Sequence, residues 1–249
     1  MCPPAIETDA LRKTYGTTVA LQSLDLSIES GSIYGFLGPN GAGKTTTMRL
    51  LTGLSDPTSG TASLSGTPVD DRRSIADLVG YLPESPPLYG EFSGREQLEY
   101  VVGLRTLDAD RTAERIEELL AQFDLTEDAD RRISGYSTGM KQKVAYIQTI
   151  LHDPPVLLLD EPTAGLDPRA ARQLKESITE RSEGGTTVFL STHILPVVEE
   201  LADTVGVLYD GELVAEGSPD AVTERAEADG DATLEDAFLA VTSEPSANR

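Results

Sequence analysis

The sequence predicts an α/β fold built around a mostly parallel sheet, and three observations carry that reading. Short strand-like runs at 156–159, 186–190 and 205–209, the first apolar throughout, alternate with helix-like stretches at 169–181 and 194–202. Unbroken apolar runs of this length belong to strands buried on both faces, the habit of parallel sheets covered by helices. A glycine-rich loop at 38–45 separates a strand-like run from a helix-like one, and from about 91 to 151 the apolar period becomes helical.

Each element follows from its residues in turn. Leu24, Leu26 and Ile28 alternate with polar neighbours, as in a half-buried strand. The run 32–37 is strand-like and breaks at Gly38-Pro39-Asn40-Gly41. Residues 45–54 read as a helix that stops near Gly53, with Pro57 beyond. Within 91–151, Ile116, Leu119, Leu120 and Phe123 fall on one helical face. Asp210-Gly211 between two strand-like runs is a hairpin turn. The end of the chain, rich in Ala, Asp and Glu, is expected to form a helix over 234–241 and then fray.

Charge narrows the function. The 249 residues carry 42 acids against 20 bases, a formal net charge of −22. Such a surface repels a phosphate backbone, so no nucleic-acid partner is expected. No run approaches the ~18 apolar residues of a membrane span, and no charged-then-apolar leader opens the chain. A cytoplasmic protein without a transmembrane segment or signal peptide is therefore expected. Cys2 is the only cysteine and cannot form an internal disulfide, which fits a reducing compartment. The bases are 5 Lys and 15 Arg, the acids are dispersed, and tryptophan is absent. Like charge at this density weakens a compact state unless salt screens it, so the composition predicts the salt-rich cytoplasm of a halophile.

Two motifs carry phosphate chemistry. Gly38-Pro39-Asn40-Gly41-Ala42-Gly43-Lys44-Thr45 matches G-x-x-x-x-G-K-[ST]. Backbone N–H groups of such a loop turn inward onto phosphate oxygens, and the helix that follows, from Thr45 and Thr46, aims its positive end at the same anion. Lys44 would bridge the β- and γ-phosphates and the Thr45 hydroxyl would ligate Mg²⁺. The second motif is the run 156–159 ending in Asp160 and Glu161, two carboxylates where ligands sit in open α/β sheets. Asp160 can hold Mg²⁺ or its water, and Glu161 can polarise a water against the γ-phosphate. Between them, Ser137 reads as the N-cap of a helix carrying Met140, Val144, Ile147, Ile150 and Leu151, with Gly139 allowing close backbone approach. A capped helix start is a second anion site; taken alone, it reads as an ordinary helix cap.

In order, the chain presents the glycine loop, the Ser137–Gly139 helix start, Asp160-Glu161, Gly165-Leu166-Asp167-Pro168 and Thr192-His193. Together these resemble the nucleotide-binding subunit of ATP-binding cassette (ABC) transporters, across nearly the whole chain. Tyr136-Ser137-Thr138-Gly139-Met140-Lys141-Gln142 and the tail from Thr233 to Leu239 resemble the export branch, whose ATPase works with a separately encoded permease. The resemblance implies a P-loop NTPase with a RecA-like core, an N-terminal antiparallel β subdomain and a helical signature subdomain. Residues 1–225 would form one domain, with its core at about 1–85 and 155–217 and the helical part at about 86–154. Residues 226–249 would form a short acidic helix or tail.

The resemblance also assigns roles by position. Tyr15, in Lys13-Thr14-Tyr15-Gly16, matches the aromatic that stacks on adenine. His193 matches the histidine that contacts the γ-phosphate and orders the attacking water. Asp167 matches a loop that communicates across a dimer, and Ser137 and Gly139 match the signature that closes on the partner subunit's ATP. Two positions depart from the family pattern. The commonest signature has two glycines and then glutamine, where this chain has Thr138-Gly139-Met140. The sensing loop usually carries glutamine, where Gly80-Tyr81-Leu82-Pro83 is followed by Glu84. That carboxylate still offers oxygen to Mg²⁺ or water, but adds negative charge beside the γ-phosphate. Pro86-Pro87-Leu88-Tyr89 is the expected permease-docking surface.

The expectation is thus an ATPase using ATP and Mg²⁺, a homodimer or a dimer with a related subunit, held at the cytoplasmic face of the membrane by its permease. A soluble ABC ATPase of the cluster-assembly type is the alternative. A nucleotide-binding regulator with little hydrolysis is disfavoured by Glu161 and His193. The charge reading has a direct test. Diluting KCl from molar levels to about 0.1 M lengthens the Debye length from roughly 3 Å to roughly 10 Å, so the Tm should fall on dilution. A Tm that stays flat across that range refutes the salt-adapted reading.

Overall fold

The computed structural model describes residues 3–224 and 233–243. Cys2, the segment 225–232 and the end of the tail from 244 lie outside the described residues, and with them the expectations of a disulfide-free cysteine and a frayed end. The chain opens with the hairpin β1 (Ile6–Tyr15) and β2 (Thr18–Ile28), then β3 (Ile33–Leu37) and α1 (Lys44–Leu51). Next come β4 (Ser59–Leu64), β5 (Thr67–Pro68), α2 (Arg72–Ile75) and β6 (Val79–Leu82). Three longer helices follow: α3 (Gly94–Arg105), α4 (Ala109–Gln122) and α5 (Thr138–Ile150). The chain then returns to the sheet through β7 (Val156–Asp160), α6 (Pro168–Glu183), β8 (Thr187–Ser191), α7 (Leu195–Leu201) and the hairpin β9 (Thr204–Tyr209)–β10 (Glu212–Gly217). Helices α8 (Pro219–Glu224) and α9 (Leu234–Ser243) close it.

One sheet joins these strands in the order β5-β4-β1-β2-β10-β9-β3-β8-β7-β6. Its core, β9, β3, β8, β7 and β6, is parallel, and β5, β4, β1 and β2 form an antiparallel arm. The sheet as a whole is therefore mixed, with the expected parallel part running from β9 to the β6 edge. Burial follows the same division. Every residue of β3, β7 and β8 is buried, whereas β2 alternates, with Leu24, Leu26 and Ile28 inward. The expected turn between β9 and β10 has Asp210 at φ 46° and Gly211 at φ 78°, the pair of left-handed residues that a tight two-residue hairpin demands.

The helical stretch has no core of its own. Ile116, Leu119, Leu120 and Phe123 of its predicted apolar face are all buried, and Phe123 meets Tyr146 edge-on at 5.5 Å. They pack in one cluster with Ile33, Leu157, Leu159 and Leu190 of the strands. The opposite sheet face packs Phe36, Leu158 and Phe189 against Met48, Leu50 and Leu51 of α1 and the arm residues Leu11 and Leu21. The C-terminal helix begins at the expected residue and docks. Leu234 is buried and, with Phe238, packs on Leu37, Val198 and Val207.

His152, just past α5, ties that helix to β6. Its Nε2 lies 3.2 Å from the Val79 carbonyl, and its Nδ1 is buried with no hydrogen-bond partner among the described residues. Burial, and then the charge of Arg105, push its pKa down to about 4 from the ordinary 6.5. A base whose folded pKa is depressed takes up its proton on unfolding, so acid favours the unfolded chain across that window. The Tm should fall as pH drops from 6.5 towards 4, and His152→Gln should flatten that slope. An identical slope in the variant would show that His152 is not protonated on unfolding.

Candidate active site

Parallel register decides which residues meet. Phe36 of β3 is paired with Ser191 of β8, and Ser191 with Asp160 of β7, so these strands end side by side with β6 next to them. The chain leaving their carboxyl ends lines a cleft of about 410 Å³. Pro39, Asn40, Gly41, Gly43, Lys44, Thr45 and Thr46 come from the β3 end, Asp160 and Glu161 from β7, His193 from β8, and Glu84 from β6.

The glycine loop wraps a cation. Gly43 has φ 114°, and a Cβ there would lie 2.5 Å from the Ala20 carbonyl oxygen, so only glycine lets the loop rest on β2. Lys44 Nζ donates to the carbonyls of Gly38 at 2.6 Å and Pro39 at 3.3 Å. Burial lowers the Lys44 pKa, opposed by the charges of Glu161, Asp160 and Glu84. Thr45 Oγ1 donates to Asp160 Oδ2 at 2.9 Å, joining the two motifs directly. Asp160 is 2% exposed; burial raises its pKa and the Thr45 hydrogen bond works against that rise.

Glu161 is the most constrained residue of the site. Its backbone is left-handed, φ 51°, which costs a non-glycine residue about 1–3 kcal/mol, and its N–H donates to the Ser191 carbonyl at 2.8 Å. Its carboxylate accepts the His193 N–H at 3.0 Å and His193 Nδ1–H at 2.7 Å on Oε1, and the Thr192 hydroxyl at 2.9 Å on Oε2. The resulting Glu161–His193 pair has a buried acid and an exposed imidazole.

Other candidates stand outside the cleft. Gly38 is pressed against Leu208, and the Ala42 N–H donates to the Pro39 carbonyl at 3.1 Å. Tyr15 is half exposed at the end of β1. Ser137 is exposed and caps α5, accepting from the Met140 N–H at 3.2 Å. That helix start, through Thr138 and Gly139, abuts Gly165 and Leu166, and Asp167 beside them caps α6 by accepting from the N–H groups of Arg169 and Ala170. Sequence reasoning did not find two tethers. Thr192 holds Glu161, and Gln142 Nε2 donates to the Pro162 carbonyl at 3.1 Å, binding α5 to the turn after Glu161. Ala20 and Ala164, which also line the cleft, carry no chemical signal at all.

The donors fit a hard divalent cation. Thr45 and Asp160 present oxygens only, with the Glu84 carboxylate on the same cleft. Among the described residues no three His, Cys, Asp or Glu side chains converge as a metal cage. A cation held by one or two side chains and by substrate phosphates fits such a set.

A family model described as ABC transporter matches residues 21–164. The chain belongs to the ABC transporter family. It is 39% identical over 232 residues to the daunorubicin resistance ATP-binding protein DrrA3 of Streptomyces coeruleorubidus, covering 93% of this chain and 73% of that protein. It is 38% identical over 213 residues to the bacitracin transport ATP-binding protein BcrA of Enterococcus faecalis, covering 85% and 68%. A solved structure of the ATP-binding subunit of an ABC transporter superposes with a TM-score of 0.88 at 30% identity, covering 96% of this chain and 99% of that one. As an ABC transporter ATPase, the chain binds ATP and hydrolyses it to power transport through a partner membrane permease, in preference to the cluster-assembly alternative. No helix of its described residues is long and apolar enough to cross a membrane.

The Thr192 tether is testable. Thr192→Val removes the hydroxyl beside Glu161 while keeping the side chain's shape. ATP affinity should be retained while turnover falls roughly ten- to hundredfold, as expected when a reacting group loses its alignment. Wild-type turnover in that variant would show that Glu161 needs no such anchor.

Proposed function

We propose that this ABC ATPase is the motor of an exporter, with MgATP sandwiched between the glycine loop of one subunit and the Ser137–Gly139 helix start of a second. One observation carries the reading. Thr45–Asp160 and Glu161–His193 meet in a single cleft, while the helix start that would complete the anion site is exposed and lies outside it. Relatives named for daunorubicin resistance and bacitracin transport support the lean to export. The permease would hold the chain at the cytoplasmic face of the membrane.

The chemistry is in-line transfer of the γ-phosphoryl group to water. Lys44 leaves the Gly38 carbonyl for the β- and γ-phosphate oxygens, and the loop N–H groups hold the rest of the chain of phosphates. Mg²⁺, held by Thr45 and Asp160 with Glu84 at hand, supplies neutralising charge when bound. Glu161 orients the water and accepts its proton as the bond to the leaving oxygen breaks. A carboxylate has about four acceptor positions, and His193 and Thr192 occupy three of them. One is left for the water. Hydrolysis then reopens the dimer, so the cycle acts on the permease as a population switch.

The permease-docking surface is read at the start of the helical segment. Pro87, Tyr89, Tyr100 and Leu104 line a groove, Tyr89 and Leu104 are 50% and 66% exposed, and Tyr89 meets Tyr100 edge-on and Phe92 at a tilt. Tyr81 lines the same groove three residues ahead of Glu84, which supports a short route from the docking surface to the cleft.

Glu161→Gln tests the reading. It keeps size and hydrogen bonding but removes the base, so ATP should still bind while hydrolysis drops by about 10²–10⁴. In molar salt, which screens two acidic surfaces, the variant should run as an ATP-dependent dimer on size exclusion and the wild type mostly as a monomer. Adding Ser137→Arg should abolish the dimer. Normal hydrolysis by Glu161→Gln would remove Glu161 from the base role, and ATP binding without dimerisation, even with the permease present, would remove the sandwich.

A further inference from the structure

The end of β1 is stitched to the loop that follows α1. Thr58 N–H donates to the Arg12 carbonyl at 2.8 Å, Thr14 N–H donates to Thr58 Oγ1 at 3.0 Å, and the two threonine hydroxyls lie 3.1 Å apart. Between these bonds, Lys13 Nζ donates to the Asp56 carbonyl at 2.5 Å. The same ammonium stands 5.0 Å from the centre of the Tyr15 ring. Lys13 and Tyr15 are two apart on β1, where the register against β2 shifts between Lys13 and Thr14. Among the described residues Lys13 makes no ion pair; the carboxylate of Asp56 pairs instead with Arg72 at 2.7 Å. In a chain of net charge −22, a lysine engaged by a carbonyl and a ring is a specific arrangement.

The ring is held but not covered. Tyr15 keeps 47% of its surface exposed with the ammonium 5.0 Å from its centre, so the ring remains accessible to a ligand. Across the hairpin Tyr15 pairs with Thr18, two residues before Ala20, which lines the phosphate cleft and supports Gly43. The ring and the phosphate loop therefore share one support.

We propose that Lys13 is a positioning residue for nucleobase recognition, fixing the Tyr15 ring so that its open face is ready to stack on the base of the nucleotide. The inference rests on the assignment of Tyr15 to the base and adds to it the residue that prepares the ring. Two effects act together. A ring fixed beforehand loses less freedom on binding. A cation on one face draws π density from the other, which eases stacking against an electron-rich purine.

The test measures equilibrium binding of the full chain to ATP and to inorganic tripolyphosphate, each with Mg²⁺ at one fixed salt concentration. Lys13→Met keeps the apolar stem and removes the charge. It should raise the Kd for ATP about two- to fivefold, the range for a cation on an exposed ring, and leave the Kd for tripolyphosphate unchanged. Lys13→Arg should restore ATP binding, because a guanidinium also stacks on an aromatic face. Equal weakening of both ligands would make Lys13 a charge for phosphate and overturn the proposal, as would no weakening of either. Tyr15→Ala separates the two layers. If it removes the base-dependent part of the affinity and Lys13→Met does not, the positioning role falls and the assignment of Tyr15 stands. If Tyr15→Ala leaves ATP binding intact, that assignment falls and the inference with it.

Discussion

Strands β3, β8, β7 and β6 pair in parallel, and parallel strands end on the same edge. The rest of the site depends on that constraint. Four segments far apart in sequence leave the sheet together, and the register of Phe36, Ser191 and Asp160 puts the Thr45 hydroxyl within reach of the Asp160 carboxylate. A slip of one residue in β7 would turn Asp160 to the other sheet face. Full burial of β3, β7 and β8 makes such a slip prohibitive, because every residue of those strands already faces packed side chains.

Within this frame the electrostatics are lopsided. Three carboxylates, Glu84, Asp160 and Glu161, line a cleft with Lys44. Desolvation opposes charge on both Asp160 and Lys44; the three carboxylates offset it for Lys44, whereas for Asp160 the Thr45 hydrogen bond offsets it and the charges of Glu161 and Glu84 add to it. A cleft of this composition gains most from a ligand that brings its own divalent cation. The left-handed backbone of Glu161 fits the same picture. Its strain is held by the N–H bond to Ser191 and by three hydrogen bonds to the carboxylate, so the group proposed to face the water is over-determined.

Much of this was legible in the sequence, because the parts that carry chemistry are contiguous. The glycine loop, the apolar run into Asp160-Glu161 and the Ser137 cap each lie within a few residues, and local rules read them. What stayed hidden are pairings across long separations. Thr192 is 31 residues from Glu161, Gln142 is 20 from Pro162 and His152 is 73 from Val79. Only the strand order brings such partners together, and nothing in a threonine or glutamine taken alone marks it as a tether. The docking of α9 was hidden for a similar reason. Leu234 and Phe238 sit in an Ala-, Asp- and Glu-rich segment, and their partners, Leu37, Val198 and Val207, come from strands and a helix elsewhere.

The shared core of the helical segment bears on how such subunits can be recombined. The groove between Pro87 and Leu104 sits on α3 and its approach, yet the apolar residues beneath α3, α4 and α5 interlock with Ile33, Leu157, Leu159 and Leu190 of the strands that carry the nucleotide motifs. A transplanted helical segment would arrive with side chains shaped for another sheet, leaving voids or overlaps in a close-packed interior. Exchanging the docking surface proposed above between two such ATPases by swapping residues 86–154 alone would therefore disturb the very strands that carry Asp160 and Glu161. Chimeras should instead cut through the exposed rim of the groove, at Tyr89, Tyr100 and Leu104, where side chains meet solvent rather than the sheet.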